Sequence, residues 1–197
     1  MRIDPAVTVY YVRHGETDWN KAARAQGHSD IPLNDTGRGQ ARRNGARLRA
    51  LIGERPTLPF VASPLSRTRE TMEIVRGELG LPADDYRVDD RIKELGFGVC
   101  EGMSWKDYVT DLRGVYERDG IDPWGWAAEG GESYANGVAR VTSFIEELDR
   151  DTVVVAHGGV SRCIHAALGV LDRDKAIDHL IPQDRIMVLK DGRIEWL

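Results

Sequence analysis

The chain has only two cysteines in 197 residues, Cys100 and Cys163. Neither sits in a Cys-x-x-Cys or Cys/His metal spacing, so a disulfide framework is excluded and both read as reduced free thiols. Long apolar runs are also missing. No window approaches the roughly eighteen apolar residues of a membrane helix, and Met1 to Pro5 lacks a signal core. These absences predict a soluble, cytoplasmic protein with no membrane partner. Positive charge is not in excess: 27 Lys and Arg stand against 32 Asp and Glu, a formal charge of −5. That balance weighs against nucleic-acid binding, although an acidic total can hide a basic pocket. No Asp-x-Asp or His-x-Glu-x-x-His spacing that would hold a metal stands out, and Asp30, Asp89 and Asp90 read as solvated turn acids, so no metal and no cofactor are expected. No repeat, low-complexity tract or Gly/Ser linker divides residues 1–197, which read as a single domain.

What is present alternates between two periods. Apolar runs of strand type recur at 7–12, 59–62, 152–156 and 186–189. Helical spacing links Val138, Val141, Phe144, Ile145 and Leu148, and again Val160, Ile164, Ala167, Leu168 and Leu171. Thr36-Gly37 opens another helix that ends near Gly53, and Pro64 lies just inside a helix running to about Gly80. Lys190-Asp191-Gly192-Arg193 joins the last two strands as a hairpin. The pattern predicts an α/β fold, a three-layer α/β/α sandwich around a mostly parallel sheet. Residues 97–131, rich in Gly and holding Trp105, Trp124 and Trp126, read as a partly helical insertion over the site whose aromatics line a pocket.

Polar clusters fall where strands end: Arg13-His14-Gly15, Ser63 to Arg67, and His157-Gly158-Gly159. In open α/β sheets ligands bind outside the carboxyl ends of the strands, so these clusters are expected to converge. A cation, an imidazole and a glycine at a strand end offer a nucleophile, its counter-charge and free backbone, a layout suited to phosphoryl transfer.

Six blocks in order carry a resemblance. They are Arg13-His14-Gly15-Glu16-Thr17-x-Trp19-Asn20, Gln26-Gly27-x-x-Asp30-x-Pro32-Leu33-x-x-x-Gly37, Ser63-Pro64-Leu65-x-Arg67-x-x-x-Thr71, Leu95-x-Phe97-Gly98-x-x-Glu101-Gly102, Gly131-Glu132-Ser133 and His157-Gly158-Gly159. Over almost the whole chain they resemble the histidine phosphatase superfamily, the phosphoglycerate-mutase-like family. The resemblance implies that fold and metal-free phosphoryl transfer through phosphohistidine.

It further implies a role for each matching residue. His14 attacks phosphorus; Arg13 and Arg67 hold the phosphoryl oxygens, as a planar guanidinium does better than lysine. His157, protonated, donates to the same oxygens, Gly158 brings its N–H close, and Asn20 adds a neutral donor. Gly15 fixes the His14 ring through its carbonyl or serves as a plain turn glycine. Gln26 belongs to the substrate-binding set. Of two acids, Glu94 is chosen as general acid and base over Glu101, which reads as structural.

Two features depart from the pattern. Many relatives have Asp-Trp where this chain has Val99-Cys100, and no Cys-x5-Arg phosphate loop follows Cys100, which reads as a packing thiol. Arg38, Arg42, Arg43, Arg47 and Arg49 share a helix and read as lacking acidic partners, a solvated face. Where mutases carry Arg-His-Tyr-Gly after the catalytic glutamate, this chain has Leu95-Gly96-Phe97-Gly98. The favoured reading is a phosphomonoesterase acting on a small phosphorylated metabolite, as monomer or homodimer. A bisphosphoglycerate-dependent mutase and a non-catalytic phosphoprotein-binding scaffold stand as alternatives.

Overall fold

The computed structural model describes every residue except 55, 109, 111–119 and 121. Strands β1 (Val9–Arg13), β2 (Phe60–Ala62), β3 (Arg87–Val88), β4 (Thr152–Ala156), β5 (Ile186–Lys190) and β6 (Arg193–Trp196) form one sheet in the order β3-β2-β4-β1-β5-β6. The first four in that order run parallel, and β5 and β6 add an antiparallel edge. The expected sandwich with a mostly parallel sheet is therefore what forms. Strand β3, two exposed residues on the rim, carries no periodic signal and lies outside the expected strands.

Helices cover both faces. Helices α1 (Asp18–Lys21), α2 (Asp35–Ile52), α3 (Ser66–Glu78), α4 (Tyr134–Glu146), α5 (Gly158–Ala167) and α6 (Arg173–Asp178) connect the strands. Along β4, Val153 and Val155 enter one core with Leu48 and Met72, while Val154 and Ala156 enter the other with Phe144 and Ile164. A strand with both faces covered is apolar along its length, which explains the unbroken Val153 to Ala156 run, while the Thr152 hydroxyl at its start donates to the Arg150 carbonyl at 2.9 Å.

Element ends follow local chemistry. Asn34 caps α2 by accepting from the Gly37 N–H at 2.9 Å, and Gly53 ends it at φ 81°. Ser63 ends β2, and Pro64 stands before α3, not inside it; the helix starts at Ser66, whose N–H and hydroxyl bond Asp30. Asp191 and Gly192 take φ values of 50° and 68°, as a two-residue hairpin of type I′ requires.

Two further expectations change. Arg38 does have acidic partners, Asp35 at 3.1 Å in its own helix and Glu70 at 2.7 Å on α3, and Arg49 pairs with Glu54 at 3.7 Å. The first lies three residues away and the second becomes adjacent only when α2 packs on α3. Within 97–131, residues 105–108 are helical and Trp105 and Trp126 line a cavity. Trp124 is instead buried, stacked on Tyr134. Residues 109, 111–119 and 121 of that stretch lie outside the described residues. Cys163 is buried, which pushes its thiol up, and Cys100 is partly exposed; neither is in a disulfide. Among the described residues no helix is long and apolar enough to cross a membrane.

Candidate active site

His14 stands one residue past β1, and its N–H donates to the Ala156 carbonyl at 3.0 Å, extending the ladder to β4. Its Nδ1 lies 2.8 Å from the Gly15 carbonyl. A carbonyl only accepts, so Nδ1 carries the proton and Nε2 presents a lone pair. Burial, then the charges of Arg67 and Arg13, push its pKa well below the ordinary histidine range. The imidazole is neutral, the state a nucleophile needs.

His157 occupies the matching position past β4, as the residue preceding α5, and the two rings meet edge to face with centroids 5.2 Å apart. Its Nε2 lies 2.6 Å from the Ser63 Oγ, and the Tyr11 hydroxyl donates to its carbonyl at 2.5 Å. Burial, then Arg67, His14, Arg13 and Arg140, lower its pKa well below the ordinary range. The expected imidazolium is therefore disfavoured, first by burial and then by cations whose approach is set by tertiary packing. A neutral ring serves the same end. With the proton on Nδ1, Nε2 accepts from Ser63 and one N–H remains to donate.

Arg67, fully buried in the first turn of α3, donates from Nη1 to the Ser29 carbonyl at 2.9 Å and from Nη2 to the Gly27 carbonyl at 2.8 Å. Arg13, the last residue of β1, donates from Nη1 to the Ile181 carbonyl. Burial, and then Arg162, lower its pKa to about 10, which leaves it charged at neutral pH. It lies against Gly158, where an added Cβ would come within 3.4 Å of its Nε. Arg13 Nε, Arg67 Nε and His157 Nδ1 are all buried without a hydrogen-bond partner among the described residues. A buried donor left unpaired costs about 1–3 kcal/mol, so three of them flanking one nucleophile fit the oxygens of a bound anion.

Glu94 is held at the N-terminus of α5. One oxygen accepts from the Gly159 N–H at 3.2 Å and the other from the Leu95 N–H at 3.0 Å. A Cβ at position 159 would lie 2.4 Å from this carboxylate, so glycine is what admits it. Glu101 points elsewhere, accepting from the N–H groups of His28 and Ser29, the Ser29 hydroxyl and the Phe97 N–H. Burial alone would raise its pKa, but these bonds keep it below the usual carboxylate range. All its lone pairs are engaged in the fold.

Gly15 does more than turn the chain. An added Cβ would fall 2.3 Å from the Gly37 carbonyl, and its N–H donates to Thr71 Oγ1 at 3.2 Å, which in turn donates to the Arg67 carbonyl at 2.7 Å. The Asn20 Oδ1 accepts from the Thr17 N–H and from Gln183, which leaves Nδ2 to donate. Gln26 is buried beside Gly27, with its Oε1 unpartnered among the described residues.

Sequence reading missed Gln183. Its Nε2 donates to the His14 carbonyl at 3.0 Å and to Asn20 Oδ1 at 3.1 Å, and its own carbonyl accepts from Asn44 Nδ2 at 2.9 Å. It sits in the loop before β5, where nothing local distinguishes it from a solvated polar residue. Arg162, five residues after His157 on α5, was also passed over. Its signal was available, since a helix that starts at a site keeps its first turns near it.

Comparison with known proteins identifies the family. The profile of the histidine phosphatase superfamily (branch 1) matches residues 9–193. Glucosyl-3-phosphoglycerate phosphatase of Mycobacterium tuberculosis (strain ATCC 25618 / H37Rv) is 32% identical over 173 residues, 80% of this chain and 73% of that one. The uncharacterized phosphatase PhoE of Bacillus subtilis (strain 168) is 35% identical over 161 residues, 81% and 75% of the two chains. Among solved structures, a phosphoglycerate mutase from Thermus thermophilus superposes with a TM-score of 0.72 at 32% identity, covering 96% of each chain.

Proposed function

Since the chain belongs to the histidine phosphatase superfamily, branch 1, we propose that it hydrolyses phosphomonoesters through a covalent phosphohistidine on His14, without a metal. The observation that carries this reading is the trio of buried, unpartnered nitrogens on Arg13, Arg67 and His157 beside a neutral His14.

The steps follow from the groups present. His14 Nε2 attacks phosphorus in line with the ester oxygen, and the P–O bond to the alcohol breaks. Glu94, in its acid form, gives its proton to the departing alkoxide. Charge building on the phosphoryl oxygens meets the two guanidiniums, the His157 Nδ1–H and the Asn20 amide, while the Gly158 N–H, at the start of a helix and without a partner among the described residues, adds a further donor. Glu94 then takes a proton from water. The water oxygen attacks phosphorus, the P–N bond breaks, and inorganic phosphate leaves with His14 restored.

Small phosphorylated metabolites are the substrate class that the name of the mycobacterial relative suggests. A mutase is the second reading, because the superposed Thermus protein bears that name. Release of phosphate from p-nitrophenyl phosphate in the presence of a chelator, with an acid-labile mass increase on His14, tests the first. Full activity in His14→Ala refutes the nucleophile, and bisphosphoglycerate-stimulated exchange of 3- and 2-phosphoglycerate favours the mutase.

A further inference from the structure

A cavity of about 380 Å³ adjoins the phosphoryl site, and no step of the hydrolysis uses it. Leu95 and Gly96, which follow Glu94, form part of its wall, as does Arg162 of α5. Arg162 acts electrostatically on Arg13 and on Tyr134, and Glu94 also acts on Tyr134. The cavity thus lies on the side of the acid, where the alcohol half of an ester must go.

Its other walls are rings. Phe97 and Trp105 meet edge to face at 5.2 Å between centroids, and Trp105 and Tyr108 at 5.4 Å. Trp126 lines it too, with Tyr134 held in place by its stack on Trp124 at 5.4 Å. Aromatic walls already fixed by one another favour a flat apolar guest at little cost in ordering.

Charge narrows the guest further. Among the described residues three carboxylates line the cavity, Glu132, Asp174 and Asp178, against one guanidinium, that of Arg162. Glu132 is spent on Arg140, bonded at 2.6 and 2.7 Å, while Asp174 and Asp178 have no ion pair among the described residues. A second phosphate or carboxylate at the far end of a substrate would meet repulsion there.

We infer that the leaving group is an alcohol carrying a flat apolar ring and no second acidic group. The inference rests on the phosphomonoesterase reading and specifies its alcohol side. Benzyl phosphate, ethyl phosphate and 4-carboxybenzyl phosphate have alcohols of similar basicity, so kcat/KM isolates the cavity's contribution. The expected result is benzyl above ethyl by about tenfold or more, and 4-carboxybenzyl below benzyl by about fivefold or more. In Trp126→Ala the benzyl-to-ethyl ratio falls toward one. Equal rates for benzyl and ethyl, or a 4-carboxybenzyl ester as good as benzyl, overturn the inference while leaving the hydrolytic reading intact. If none of the three esters releases phosphate and His14 takes up no phosphoryl group, both fall together. The wild-type ratios decide the matter even if the Trp126 variant does not fold.

Discussion

The carboxylate of Glu94 fills the space in which any residue but glycine would carry its β-carbon at position 159. The clash is with the tips of two side chains, the Glu94 carboxylate at 2.4 Å and the buried Leu95 Cδ1 at 2.8 Å, so Gly159→Ala should displace Glu94 with a modest loss of stability from Leu95, which a thermal melt reads separately. Loss of a general acid costs about 10²–10⁴ in rate. The expected outcome is a kcat reduced by about a hundredfold with alkyl phosphates, and much less with p-nitrophenyl phosphate, whose leaving group needs no proton. Equal losses on both substrates would detach Glu94 from leaving-group protonation.

Ser63 sets which nitrogen of His157 bears the proton, through the 2.6 Å contact to Nε2. Ser63→Ala should lower kcat by about tenfold, the worth of roughly one hydrogen bond, with KM little changed. Nitrogen-15 shifts of His157 should move toward the other tautomer. Ser63→Thr, if it packs, should restore part of the rate. An unchanged tautomer in the alanine variant would exclude this role.

Gln183 ties the His14 backbone to Asn20. Gln183→Ala is expected to reduce kcat/KM by about tenfold and stability by about 1 kcal/mol. Gln183→Glu, which sets a carboxylate against two acceptor oxygens, should be worse than alanine on both counts. A glutamate variant as active as the wild type would mean that the amide donates to nothing of consequence.

His14, His157 and His165 are all held below the usual histidine range, each first of all by burial. The unfolded chain takes up protons on these rings near pH 6.5 while the folded chain does not. More protons on the unfolded side means that stability rises with pH through that region. It should be complete above about pH 6.5 and erode as the pH falls below it. Thermal melts between about pH 7.5 and 5 should show this slope, and replacing His14 and His157 by Asn should flatten it. Carboxylates such as Glu101 and Asp89, held low, add their loss only at more acid pH.

Much of the site was legible because its residues sit at strand ends and keep fixed spacing. The β1 and β4 runs, the hairpin at Asp191-Gly192 and the polar clusters at the strand ends can be read from local pattern, whereas the roles of His14, Arg67 and His157 come from the family resemblance. What could not be read depends on neighbours brought in by packing. The protonation of His157 turns on burial and then on guanidiniums from three other elements, and Arg38 acquires Glu70 only when two helices meet. Gln183 gains its partners by the return of the chain beside β1, an event with no local signature. Strand β3 has two residues and follows its neighbour's edge instead of any hydrophobic period.

The parallel pairing of Arg13 with Ala156 puts the two imidazoles at the same level on adjacent strands. Their separation is therefore a property of the sheet, whose strands lie about 4.8 Å apart, and not of either loop. A pairing shifted by one residue would turn one strand over relative to the other and set the two rings on opposite faces. No partly folded chain lacking this non-local pairing can bring the two rings together. On refolding, the return of activity becomes a clock for the joining of the two central strands, and a collapsed intermediate rich in helix should stay inert until they meet.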